Sequence, residues 1–213
     1  MRHFKTFLIV ILFINHSLIA QSPSTSSDKK AETPAVVIPP PPPVETKGQV
    51  TINGQTINYT ARTGYMTLKD ESGKAKANVF FVYYTKDGVG DLTKRPITYT
   101  FNGGPGSASV WLHMGLIGPK RIPMTDKGDA LTPPYSYQNN EFSWLDKTDL
   151  CFIDPVNTGY CRAAAGENER QFLGYTEDIE SVGEFIRRCG EDLSSGFLPN
   201  RAGWLSFVSA AVG

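Results

Sequence analysis

The chain has 213 residues, 40% of them hydrophobic, and balances 21 Lys and Arg against 21 Asp and Glu. That length suits one domain of ordinary size. A formal net charge of zero lacks the basic field that a nucleic-acid surface requires, so no nucleic-acid partner is expected.

Residues 1–20 read as a secretory signal, with Arg2 and Lys5 as a basic start, an apolar run from Phe7 to Ile14, and Ala20 as a cleavage point. The run is far shorter than the roughly 20 residues a membrane span needs. The expected location is therefore periplasmic or extracellular, with no stable membrane span after cleavage. Losing Arg2 and Lys5 leaves 19 basic against 21 acidic residues in the mature chain. Residues 21–47 are rich in Ser, Lys, Thr and Pro and end in the proline run 39–43, which reads as an extended tether without a core. The folded domain is expected over 48–188, and 189–213 as a divergent tail.

Gln49 to Thr60 alternates around Asn53-Gly54, a strong hairpin signal because both residues tolerate φ > 0. Gly64 to Leu68 extends the sheet, and a turn at Asp70–Lys74 leads to the strand Ala77–Tyr84. Asp87 to Gly90 turns the chain into Pro96–Phe101, a β-branched and aromatic strand. That strand breaks into Asn102, Gly103, Gly104, Pro105 and Gly106. Bare amides at a strand end suit a developing negative charge, as in the HGGG-type loop of lipases and esterases. The plain alternative is a tight turn. A phosphate loop is disfavoured, because no Gly-Lys-Ser/Thr follows and Pro105 removes a donor.

Ser107 to Gly115 predicts a short helix capped by Ser107 and stopped by Gly118-Pro119. Residues 120–141 read as loop. Thr148–Asp154 is a buried strand ended by Pro155, and Asn157–Tyr160 a turn. Residues 171–188 predict a helix with Phe172, Tyr175, Ile179, Val182 and Ile186 on its apolar face, and with Thr176 as a cap before Glu177 and Asp178. Strands divided by a helix give an α/β arrangement.

The cysteines are Cys151, Cys161 and Cys189, an odd number that leaves at least one unpaired. Cys151 reads as a small buried hydrophobe, and a Cys151–Cys161 bridge stays open. His113 is the one histidine beyond the signal, so a His/Cys metal site of zinc-finger spacing is not expected, nor any cofactor. His113 itself reads as a packing or loop residue, since no serine–histidine–acid spacing surrounds it.

Asn102-Gly-Gly-Pro-Gly106 is followed by Gly118-Pro119, Asn140-Glu-Phe-Ser-Trp-Leu145, Phe152-Ile-Asp-Pro-Val156, Thr158-Gly-Tyr160 and Tyr175-Thr-Glu-Asp178. In this order and spacing, over about residues 75–187, the chain resembles the serine carboxypeptidase family, a branch of the α/β-hydrolases. Gly118-Pro-Lys-Arg121 and the tether look more like bacterial members. The resemblance implies the N-terminal half of an α/β-hydrolase mixed sheet, incomplete, and a peptide substrate with a free C-terminal carboxylate. It implies that Asn102 and the Gly103 amide bind that carboxylate, and that the Gly104 amide is half of an oxyanion hole.

Three positions depart from the pattern. Leu116 stands where the family often has an acid, which puts an acid-pH preference in doubt. Cys161 replaces a usual Ser, and Asn157 a common Gly. Cys161 is not expected to be a nucleophile, having no evident histidine partner. No serine in the chain has glycine two residues before it, so the Gly-x-Ser-x-Gly elbow is missing, and the other triad members are absent with it. The likeness stops near Arg188. A shifted reading frame accounts for this better than a short paralogue, and an inactive truncated product is expected. On that expectation the strands 96–101 and 148–154 lack a neighbour, and the chain folds poorly. Two further readings remain: a non-catalytic protein binding peptide C-termini or a partner, and an esterase-like hydrolase with no carboxylate for Asn102 to meet.

Overall fold

The computed structural model describes residues 39–103, 106–191 and 205–211. The expected signal, most of the tether, and Gly104 lie outside the described residues. Everything described falls within one unit, Ala35–Gly213.

Strand β1 (Val44–Ile52) pairs antiparallel with β2 (Gln55–Lys69) around Asn53 and Gly54, at φ 49° and 74°. Two consecutive positive φ values match the right-handed twist of the flanking strands, which is why Asn-Gly stands there. β1 starts at Val44, ahead of the expected Gly48. β2 is one long strand that serves both faces of the sheet in succession. Ile57, Tyr59 and Ala61 enter one core, and Met66 and Leu68 the other. The side-chain period of two makes this possible without a change of register.

β3 (Ala75–Lys86) pairs antiparallel with β2 and with β7 (Asp149–Ile153). β4 (Ile97–Gly103) lies parallel to β7 on one side and to β9 (Leu205–Ala211) on the other. The order is β1-β2-β3-β7-β4-β9, with the short β8 (Arg162–Ala163) pairing β3 away from this path. The fold is therefore α/β on a mixed sheet, as expected. All residues of β7 are buried, as expected of a strand covered on both faces.

The expected bare edges are not found. β7 is paired on both sides, and β9, from the segment read as a divergent tail, pairs β4 from Ile97↔Leu205 to Gly103↔Ala211. A parallel partner about a hundred residues away leaves no local signature for pairing, so the sequence reading missed it. The argument for poor folding from those edges falls with it.

Helix α2 (Tyr175–Glu191) covers one face with Val182, Phe185 and Cys189, and Phe81 and Phe185 rings meet at 5.9 Å. Of the expected face, Phe172, Val182 and Ile186 do pack on this core, whereas Tyr175 and Ile179 are exposed. The expected start is corrected as well. Residues Glu169–Phe172 form a separate 3-10 turn capped by the Asn168 side chain, and Thr176 lies inside the helix.

The other face is covered by the crossover between β4 and β7. Ser107 does not cap a helix. The α-helical part, α1, is Val110–Leu112 with Ser109 at its N-cap, and it widens into a π-turn over His113–Ile117. Gly118 ends the turn because a Cβ there would sit 2.1 Å from the His113 carbonyl oxygen. Within the expected loop, β5 (Lys120–Arg121) and β6 (Gln138–Asn139) form a small antiparallel pair.

A π-turn leaves carbonyls without their usual partners. Asn140, 1% exposed, supplies them: its Nδ2 donates to Leu116 O and Gly118 O, each at 2.8 Å, and the Ser143 hydroxyl donates to Ile117 O at 2.8 Å. Asn140→Ala is expected to lower stability by about 2–3 kcal/mol, since two buried carbonyls lose their donor. Urea unfolding measures this, and a loss below about 0.5 kcal/mol would show that water replaces the amide freely.

Candidate active site at the carboxyl ends of β4 and β7

The chain leaves β4 toward one face of the sheet, where Leu112, Ile117 and Leu145 pack, and returns from β7 through α2 on the opposite face. Crossovers departing to opposite faces open a crevice beyond the carboxyl ends of the strands, where ligands bind in open α/β sheets. Asn102 stands at that end of β4. The β4–β7 ladder ends at Thr100 paired with Phe152, and strand alternation puts Asn102 on the face of Thr100 and Asp154 on that of Leu150 and Phe152.

Asn102 is 3% exposed, and neither its Oδ1 nor its Nδ2 has a hydrogen-bond partner among the described residues. An unmet buried amide costs about 1–3 kcal/mol for each polar group, so it marks a position kept for something other than packing. Gly103 is the last residue of β4 and pairs with Ala211. Gly104, the expected oxyanion donor, lies outside the described residues.

Asp154, which ends the apolar run of β7, is buried. Its Oδ1 accepts the Ser109 amide at 2.9 Å and its Oδ2 the Tyr160 amide at 3.3 Å. Burial raises its pKa, and the two amides oppose the rise. The sequence reading quoted Asp154 within a motif but gave it no role. The available signal was a lone acid at the end of an apolar strand.

His113 holds the position of a packing residue. Its Nε2 lies 2.6 Å from the Tyr84 hydroxyl, and its ring stacks on Phe152 at 4.5 Å. Burial lowers its pKa to about 4. Cys161 is a free buried thiol donating to Asn78 O at 3.1 Å, and burial pushes its pKa up to about 12, far from that of a reactive thiolate. Cys151 and Cys189 are also buried and none of the three is in a disulfide, so the open Cys151–Cys161 bridge is not formed. Leu116 is exposed on the π-turn, where the family pattern often has an acid.

A mixed sheet with crossovers on both faces carries an unmet amide at the end of a central parallel strand, the arrangement of a ligand-binding α/β protein. A family model described as serine carboxypeptidase matches residues 51–186, and the chain belongs to that family. It is 30% identical over 115 residues to the pheromone-processing carboxypeptidase KEX1 of Saccharomyces cerevisiae, covering 53% of this chain and 14% of that protein. It is 27% identical over 143 residues to serine carboxypeptidase-like 29 of Arabidopsis thaliana, covering 65% of this chain and 25% of that protein. The crystal structure of a prohormone-processing carboxypeptidase from Saccharomyces cerevisiae aligns with a TM-score of 0.45 at 24% identity, over 70% of this chain and 30% of that one. The chain thus spans between a seventh and a quarter of the length of these two curated relatives. They are fungal and plant proteins, so they lend no support to the expected bacterial-type likeness. Among the described residues, no helix is long and apolar enough to cross a membrane.

Proposed function

We propose that these residues form the substrate-carboxylate end of a serine carboxypeptidase site, receiving peptides with a free C-terminus in an exported protein. The observation that carries this reading is the buried, unpartnered side chain of Asn102 at the carboxyl end of β4. A neutral amide donates to a carboxylate without needing a charge of its own, and such a bond is worth about 1.5–3 kcal/mol. The Gly103 amide is the second donor in this reading, and the family resemblance assigns the Gly104 amide to the oxyanion that develops on the scissile carbonyl. The 213 residues hold no Gly-x-Ser, so recognition is assigned to them and nucleophilic attack is not.

Calorimetric titration with an N-acetylated dipeptide tests the reading. The free acid is expected to bind saturably, with the C-terminal amide at least about tenfold weaker. Asn102→Ala is expected to weaken the acid by about 10–100-fold and leave the amide unaffected. A fluorophosphonate probe should leave the chain unlabelled. Equal binding of acid and amide removes the carboxylate reading, and stoichiometric labelling removes the division of roles.

A further inference from the structure

We propose that Asp154 is a positioning residue for the carboxylate site: its carboxyl group clamps the segment after the glycine run to the Asn157–Tyr160 turn and so fixes the walls beside Asn102. This rests on the reading of Asn102 given above.

Asp154 is 7% exposed, and its described hydrogen-bond donors are two backbone amides from different parts of the chain. One belongs to Ser109, 45 residues before it; the other belongs to Tyr160, six residues after it. A second bond reinforces the first clamp, since the Ser109 hydroxyl donates to the Ile153 carbonyl. The strand side is fixed by the Asp154 amide, which donates to Phe80 O at 3.1 Å. Close approach completes the clamp. Gly159 sits at φ 46°, and a Cβ there would lie 2.0 Å from Asp154 Oδ2 and 3.0 Å from the Ala108 Cβ. The turn, the carboxyl group and the Ala108–Ser109 segment are therefore in mutual contact.

The chemistry favours positioning over packing. A buried carboxyl group is unfavourable unless its acceptors are used, and an apolar residue would fill the volume more cheaply. What a carboxyl group adds is two acceptors in one plane, able to hold two chain segments at once. Both segments abut the end of β7, and the parallel ladder pairs Thr100 with Phe152, each two residues ahead of Asn102 and Asp154. Loosening either segment changes the space in which the Asn102 amide meets its ligand.

The test uses the full chain with Asp154→Asn and Ser109→Pro. The first keeps the shape and one acceptor but points a donor at the Tyr160 amide. The second removes the Ser109 amide, and the Ser109 φ of −71° already suits proline. Amide NMR spectra and calorimetry with the N-acetylated dipeptide acid are the readouts. The expected result for each variant is a spectrum with core resonances in place, shifted Asn102 side-chain resonances, and acid affinity lowered about tenfold; Ser109→Pro, which also loses the hydroxyl bond to Ile153 O, should be affected at least as much. A purely structural role would lower the melting point and leave the Asn102 resonances and the affinity where they were, which overturns the proposal. Unfolding of both variants also overturns it. If the wild type fails to tell acid from amide, the carboxylate reading has failed. The positioning claim then stands or falls on whether the Asn102 resonances move in Asp154→Asn.

Discussion

Asp149→Ala is expected to lower the unfolding free energy by about 3–5 kcal/mol, the range for breaking a buried ion pair from one side. Asp149 opens β7 and is fully buried. Its Oδ1 accepts Arg95 Nε at 2.6 Å and the Lys86 backbone amide at 3.1 Å. Arg95 also donates from Nη2 to the Leu145 carbonyl at 2.5 Å. The carboxylate thereby ties the end of β3, the lead into β4 and the start of β7 at the end of the sheet opposite Asn102. Removing it leaves a largely buried guanidinium without its counter-charge, and that cost exceeds the net worth of the intact pair. Arg95→Leu alone is expected to be similarly harmful, while Arg95→Leu with Asp149→Leu recovers most of the loss. Urea unfolding with an unchanged m-value measures each step. A single-variant loss under about 1 kcal/mol, or a double variant as weak as the sum of the singles, would show that the pair is solvated and not coupled.

This pair was invisible in the sequence, and the reason separates legible features from illegible ones. Asn53-Gly54, the strands over Ala77–Tyr84 and Thr148–Asp154, and the turn at Asn157–Tyr160 are encoded by neighbours a few residues apart, and the structure has them all. Asn102 was singled out only through the ordered motifs of the family resemblance, which assigned it a carboxylate; its burial could not be read from the sequence. Arg95 and Asp149 lie 54 residues apart, and Ser109 and Asp154 lie 45 apart, and nothing near either partner announces the other. β9 escaped for the same reason, being paired only through a distant parallel register. The error in α2 is of another kind. Val182 and Ile186 pack as the period predicts, but the buried stripe extends to Phe185 and Cys189 and leaves Tyr175 and Ile179 outside it. The apolar residues of α2 share one stripe, and the period alone does not say which edge of that stripe is buried. The π-turn was unreadable because its causes, the close approach at Gly118 and the Asn140 amide, act from outside its own residues.

Lowering the pH from about 6.5 to 4 is expected to destabilise the chain through His113 by up to about 3 kcal/mol. The imidazole is enclosed by Tyr84 and Phe152, and burial holds its pKa at about 4 against an ordinary value of 6.5. Tyr84 keeps its proton, because burial raises its pKa well above the usual phenol range, so the pair is uncharged at neutral pH. Between the two histidine values the unfolded chain takes up a proton that the folded chain refuses. Unfolding then gains as pH falls, and the stability present above 6.5 is lost progressively down to about 4, below which the loss levels off. Carboxylates with lowered pKa, such as Glu167 at about 2, add loss mainly at lower pH, and the raised Asp154 and Asp178 act in the opposite direction. A comparison with His113→Phe isolates the histidine, since all other groups titrate in both proteins. The variant lacks the Tyr84 partner and starts less stable at pH 7, but its stability should decline less steeply between pH 6.5 and 4, by close to one proton's worth of slope. Because His113 opens the π-turn, the same titration should loosen the segment that ends at Gly118. Parallel pH profiles for the two proteins would mean that the imidazole is solvated and that the Tyr84–His113 contact carries no linked proton.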